Sequence, residues 1–198
     1  MFKEQDFDIF LDETLDGRMD KIRNIIDPEF MEFAQTALPI LEQDGQKWYA
    51  HVAKHLRRTV YAPDSTWIAF APNKRGYKMV PHFELTIWDD NIFLSLSMLE
   101  NLKTSQSARD EWTAKLQKVA KDYKKLPAEF VLSPDHMENQ VQSLEIESAI
   151  QHYHDVKKAE LIVGLQIKRG DARIGTAELN QDLLAALKIL LPIYEKLK

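Results

Sequence analysis

The sequence predicts an α+β fold, a single domain over residues 1–198 in which an antiparallel sheet is flanked by helices. Apolar and polar residues alternate with period two in the middle of the chain, as in strands, whereas the first third and much of the last third place apolar residues at helical spacing. The elements also come as helices, a run of strands, then helix, strand, helix, strand, helix, an order that does not build the repeating units of a parallel sheet. A length of 198 residues with 44% hydrophobic and 29% charged residues suits one core of ordinary composition.

Each element has its own signal. After Asp16, Met19, Ile22, Ile25 and Ile26 recur at helical spacing, and Asp27-Pro28 breaks or restarts the pattern. Pro28 suits the first turn of a second helix, whose stripe is Phe30, Phe33, Ala34, Ala37 and Leu38 and whose stop is Gly45. The segments TWIAFAP (66–72), YKMVPHFELTIW (77–88) and IFLSLSML (92–99) read as a meander with NKRG and WDDN as turns. In the second of these, Phe83, Leu85 and Ile87 point one way and His82, Glu84, Thr86 and Trp88 the other; Pro81, which cannot donate to a ladder, marks an edge or bulge near the start of pairing. Ser107 opens a capping-box-like SARD ahead of a stripe of Trp112, Leu116, Val119, Ala120 and Tyr123. A short strand at EFVLS follows, then a helix through Leu144, Ile146, Ile150 and Tyr153, a strand at ELIVGLQIKR, and a final helix that Pro192 is expected to kink or interrupt.

Composition removes several chemistries. Without cysteine there is no disulfide, thiolate metal site, iron–sulfur cluster or cysteine nucleophile. The acidic and aromatic N-terminus lacks the pattern of a secretory leader, and no apolar run has the length of a membrane span, so a soluble cytoplasmic protein is expected. Fingerprints of the type GxGxxG, GxxxxGK[ST], GxSxG and DxDxDG do not occur.

Charge is unevenly spread. The net charge is −5, yet between His51 and Phe83 six bases (Lys54, Arg57, Arg58, Lys74, Arg75 and Lys78) meet a single acid, Asp64, a local +5 that leaves −10 for the rest. Read as a helix, HVAKHLRR (51–58) lines up His51, Lys54, His55 and Arg58 as one basic stripe; read as a strand it leaves a less clean apolar pattern. Arg offers phosphate or carboxylate a bidentate fork, Lys a point charge, and His a charge gained near neutral pH, while Trp67 and Tyr77 supply stacking faces. The bland counter-reading is a solvated patch that pairs with the acids of the N-terminal helices. A metal at His51 and His55, completed by His82 and Glu84, is disfavoured by the neighbouring cations. In QHYHD, His152 and His154 are expected to be exposed on either side of a core Tyr153, and His136 in SPDHM falls in a turn.

Across HVAKHLRRTV, the Pro63-Asp64-x-Thr66-Trp67 segment, Lys74-Arg75-Gly76-Tyr77-Lys78 and Pro81-His82-Phe83, the chain resembles the YktB-like family of uncharacterised bacterial cytoplasmic proteins, a domain of unknown function. The resemblance implies an α+β fold with an antiparallel sheet and suggests a topology related to the catalytic domains of biotin ligases and class II aminoacyl-tRNA synthetases. It implies no activity or cofactor, and a fold is a weak guide to chemistry.

Two functional expectations follow, with a third beside them. In the first, His51, Lys54, His55, Arg57, Arg58, Lys74, Arg75, Tyr77 and Lys78 form one concave anion site for a phosphate-bearing small molecule, a nucleotide or nucleic acid. In the second, an enzyme acts on a phosphorylated or adenylated small molecule with His51 or His82 as acid–base, Glu84 orienting it and Arg58 and Arg75 stabilising charge. The third has the patch dock an acidic protein partner.

Overall fold

A computed structural model of the chain describes residues 1–198. A short 3₁₀ segment, Glu4–Leu11, leads into α1 (Leu15–Lys21), whose N-cap Thr14 accepts from the Gly17 amide. A π-helical turn, Ile22–Ile26, joins α1 to α2 (Asp27–Leu41), so Asp27-Pro28 does not break the chain's helical course. The wide turn accommodates the missing N–H of Pro28 and slips the helical register: Ile22 and Ile26 stay buried and Ile25 turns to solvent.

Six strands follow: β1 (Tyr49–Val52), β2 (Ser65–Ala71), β3 (His82–Trp88), β4 (Asn91–Met98), β5 (Phe130–Ser133) and β6 (Leu161–Lys168). They form one fully antiparallel sheet in the order β1-β2-β3-β4-β6-β5. The remaining helices are α3 (Gln106–Tyr123), α4 (Ile146–Asp155) and α5 (Ala177–Leu197). The cap of α3 is Ser105, whose hydroxyl accepts from the Ala108 amide, two residues ahead of the expected Ser107. Helix α5 runs on through Pro192, which is exposed, because buried Leu190, Ile193, Tyr194 and Leu197 hold the helix to the core on both sides of it.

The core is one cluster of 44 buried residues drawn from the five helices and from one face of the sheet, with Ile68, Phe70, Phe83, Leu85, Ile87, Leu94, Leu96, Val163 and Leu165 among them. The α+β expectation holds, with one refinement: the helices pack on a single face. The opposite face carries Glu84, Thr86, Ser95, Ser97, His82 and Ser133, all buried, and only a small apolar group around Phe93, Leu99 and Ile162. Loops cover this polar face. Residues 72–81 approach from the β2–β3 side, and residues 134–142 return from the far edge to reach the β3–β4 turn, where Asn139 bonds Asp90 and Asn91. No helix is long and apolar enough to cross a membrane.

Candidate functional site

Strand register builds the floor of the site. Directly paired residues share a face, so His51, Ala69, Glu84, Ser95, Gly164 and Val131 form one row across all six strands on the polar side. Glu84 is the only large polar side chain in the interior of that row; Ala69, Ser95 and Gly164 beside it leave the surface low. Gly164 is required there, since a Cβ would lie 1.9 Å from the Leu94 carbonyl oxygen and 2.6 Å from the Ser95 Cα.

At the start of β3, His82 and Glu84, two residues apart on the polar face, lie beneath the loop. His82 is fully buried; its Nδ1 donates to the Val80 carbonyl at 2.9 Å and its Nε2 faces Glu84 Oε2 at 3.8 Å, while Glu84 Oε1 accepts from Thr86. Tyr77 packs its ring edge-on to that of His82, with the ring centroids 4.9 Å apart. The Tyr77 hydroxyl accepts from Trp67 Nε1 at 2.7 Å, which leaves its own proton to donate. Burial, with the charge of Glu84, pushes that phenol up to about 12, so it stays neutral. His51 braces the same loop: its Nε2 bonds the Asn73 carbonyl at 2.8 Å and its ring packs 5.6 Å from Tyr77.

The HVAKHLRR segment is not a helix. His51 and Val52 end β1, and residues 53–64 form an irregular loop in which His55 adopts a positive φ of 49°, a left-handed conformation incompatible with the expected basic stripe. The His55 ring is tucked against Trp67 and bonds Thr66 Oγ1 at 3.1 Å. Burial, helped by the nearby Arg58 guanidinium, pulls its pKa down to about 4, so at neutral pH it brings no positive charge to an anion. His51 and His55 bond different partners and share no metal-binding face.

The residues expected to form one concave basic site are distributed over two depressions and the loop between them. Lys74, Arg75, Tyr77 and Lys78 line an open depression of roughly 700 Å³ formed by residues 73–79. Arg58 lines a separate one with Glu13, Arg18, Tyr61, Ala62 and Asp64, and exposed Lys54 and Arg57 stand on the intervening loop. His82 and Glu84 line neither depression, being buried on the polar face of the sheet, and Arg58 stands in the one bordered by Glu13 and Asp64.

The six cations nevertheless share one property: none is ion-paired. The single acid of the segment, Asp64, faces Arg18 at 3.8 Å. The N-terminal acids are engaged elsewhere, Asp12 with Lys21, Asp20 with Arg23, and Glu4 and Asp8 with Arg169. None of the six is within ion-pair distance of an acid of the N-terminal helices, although Glu13 lines the same depression as Arg58.

Two functional-site residues carry no signal in the sequence. His136, on the 134–142 loop, bonds Lys78 Nζ through Nε2 at 3.2 Å and Glu160 Oε2 through Nδ1 at 2.7 Å, and sets its ring at right angles to Trp67. Glu160, buried just before β6, also accepts from the His136 amide at 2.7 Å. Burial lowers the basicity of His136, but the hydrogen bond and charge of Glu160, with Glu84 beyond, outweigh it, and the ring sits above the ordinary imidazole value. Asp135, His136 and Glu160 bring donor atoms within 4.8 Å of one another. The Lys78 ammonium already supplies positive charge there, and His136 Nδ1 is spent on Glu160. In the QHYHD segment Tyr153 is buried and His152 exposed, as expected, but His154 is half-buried because its ring is bonded to Asp155 and Asp110.

Comparison with known proteins agrees with the architecture in extent. The chain is similar over its whole length to a UPF0637 protein of Leuconostoc mesenteroides, 55% identical over 199 residues with all of both chains covered. It is 40% identical to a UPF0637 protein of Lactiplantibacillus plantarum, covering 98% of this chain and 94% of that one, and 38% identical to one of Enterococcus faecalis, covering 98% and 97%. With the model of the domain of unknown function DUF1054 matching residues 2–194, the chain belongs to that bacterial family.

Proposed function

We propose that the protein is an anion-binding module whose ligand, a small molecule bearing a phosphate, sits in the depression of residues 73–79. The observation that carries this reading is the convergence of three cations in an otherwise acidic chain: Lys74, Arg75 and Lys78 line one depression that no carboxylate lines. Leaving like charges together costs energy unless something compensates it, and a phosphate does so with charge-assisted hydrogen bonds. Arg75 provides the fork, Lys74 and Lys78 the point charges, and Tyr77 a neutral O–H donor.

The test is thermal denaturation with inorganic phosphate and with pyrophosphate, since a ligand that binds only the folded state raises its melting temperature. Wild-type protein is expected to be stabilised by either anion, and Arg75→Ala to weaken that binding by about ten- to a hundredfold, the loss of a bidentate charged contact. No stabilisation of the wild type, or equal stabilisation of Arg75→Ala, refutes the reading.

A second reading rests on exposed apolar side chains interleaved with the cations of the other loop: Leu56, Val60 and Tyr61 stand out to solvent beside Lys54 and Arg57. That mixture suits a nucleic-acid strand, with phosphates on the cations and a base on Tyr61. Fluorescence anisotropy with a labelled single-stranded oligonucleotide at two salt concentrations decides it; absence of salt-sensitive binding removes it.

A further inference from the structure

We propose that Lys78 is an imine-forming lysine, activated by His136 and Glu160, and that the anion held by residues 73–79 belongs to a small carbonyl compound. The inference rests on the anion-binding reading above and adds to it the reacting group of the ligand.

Hydrogen-bond direction fixes the role of each group. Ionised carboxylates only accept, and the His136 ring and amide both converge on Glu160 Oε2, so in the neutral ring the proton is on Nδ1 and the lone pair on Nε2. An ammonium only donates, so Lys78 Nζ gives its hydrogen to that lone pair at 3.2 Å. The result is a carboxylate, an imidazole and a nucleophile in line, the arrangement by which a side chain with a high proton affinity is deprotonated by an oriented base. The elevated basicity of His136 serves the same end.

Other lysines make different bonds. Lys103 directs its amino group to three backbone carbonyls, those of Tyr153, Val156 and Ala159, while Lys21, Lys196 and Lys198 face carboxylates. None of those partners is an imidazole, and Lys103, which burial and the nearby Arg109 pull down to about 8, has only carbonyl oxygens around its amino group. Lys78 alone bonds a nitrogen base, and it does so at the edge of the depression bordered by Lys74 and Arg75.

The chemistry balances without a cofactor. Lys78 passes a proton to His136 Nε2, and the imidazolium is held by Glu160. The amine lone pair attacks the carbonyl carbon, a C–N bond forms, and the carbonyl π pair moves to oxygen; proton transfer from nitrogen to oxygen gives the neutral carbinolamine. The imidazolium then protonates the hydroxyl, which leaves as water while the nitrogen lone pair forms the C=N bond of a protonated imine. One ammonium and one carbonyl compound thus give one iminium and one water. Lys74 and Arg75 select carbonyl compounds that carry a phosphate.

The experiment uses glyceraldehyde 3-phosphate with cyanoborohydride on the full chain, with modified lysines mapped by peptide mass spectrometry and unphosphorylated glyceraldehyde as the control. Lys78 is expected to be modified faster than Lys74 by about tenfold or more, and His136→Gln to slow Lys78 by at least as much, as removal of a general base does, while phosphate still stabilises the variant. The pH profile separates a base from a structural prop: with His136 present, Lys78 modification begins at lower pH than in His136→Gln. Should His136→Gln not fold, Glu160→Gln carries the same expectation. Equal modification of Lys78 and Lys74, or an unchanged rate and pH profile in the variants, overturns the imine assignment. If phosphate stabilises the protein and Lys78 is not selected, this inference alone falls; if phosphate has no effect either, the anion-binding reading falls with it.

Discussion

His55 gives the sharpest quantitative handle on the loop that carries half of the basic segment. Its ring is held against Trp67 and bonded to Thr66, and burial with the nearby Arg58 brings its pKa from 6.5 down to about 4. For a base depressed by folding, the ring is neutral in both states above pH 6.5 and the depression has no effect. As pH falls below 6.5 the unfolded chain takes up the proton first, and stability declines until the folded ring also protonates near pH 4. The full shift corresponds to about 3 kcal/mol; at pH 4.5, with allowance for partial exposure of the ring, about 2 kcal/mol is lost through this one group. His55→Asn keeps a residue tolerant of the positive φ and removes the titration. Urea denaturation of both proteins at pH 7.5 and 4.5 is the assay. The variant is expected to be the less stable at pH 7.5, because it loses packing on Trp67, and the difference to shrink by about 2 kcal/mol at pH 4.5. A difference that stays constant between the two pH values, or an imidazole NMR titration of His55 centred near 6.5, refutes the burial argument.

Three further outcomes follow from packing. Gly164→Ala forces β4 and β6 apart at the Glu84 row and is expected to cost at least about 3 kcal/mol in urea unfolding, a loss below 1 kcal/mol contradicting the close approach. Lys103→Met strands the Tyr153, Val156 and Ala159 carbonyls around the end of α4, with an expected loss of about 3 kcal/mol and an unchanged denaturant slope; a neutral result shows that water reaches them. Arg18→Met removes donors from the Phe10, Asp12 and Pro63 carbonyls, and amide hydrogen exchange is expected to quicken in residues 55–62, the loop whose end at Pro63 that guanidinium ties to the N-terminal segment.

The legible parts of the sequence were those where one period ran uninterrupted. Strand β3 shows its two faces directly, because Phe83, Leu85 and Ile87 alternate with His82, Glu84 and Thr86, and Pro81 lies just outside the ladder. HVAKHLRR misled because basic residues three and four apart mimic a helical stripe without an apolar stripe behind it, and Leu56 and Val60, which that helix needed inside, are exposed. Tyr77-Lys78-Met79-Val80 lies outside β3 because Pro81 ends the chance of continuous pairing, which frees Tyr77 to fold back over His82. His136 and Glu160 were invisible for another reason. They are 24 residues apart and reach Lys78, 58 residues before His136, only because β5 pairs at the far edge and its following loop crosses back over the sheet. No local pattern encodes that return.

The two faces of the sheet divide the work. Helices seal one with a continuous apolar core, and the polar face is closed by loops tied at a few points: His51 to Asn73, Trp67 to Tyr77 and Lys78 to His136. At roughly 1 kcal/mol for each such hydrogen bond, the three ties together contribute about 3 kcal/mol to holding the 72–81 loop on the sheet. Two of the three ties, those of Tyr77 and Lys78, belong to groups that a bound anion would itself engage. An anion bound there would compete with those ties for the Tyr77 hydroxyl and the Lys78 ammonium.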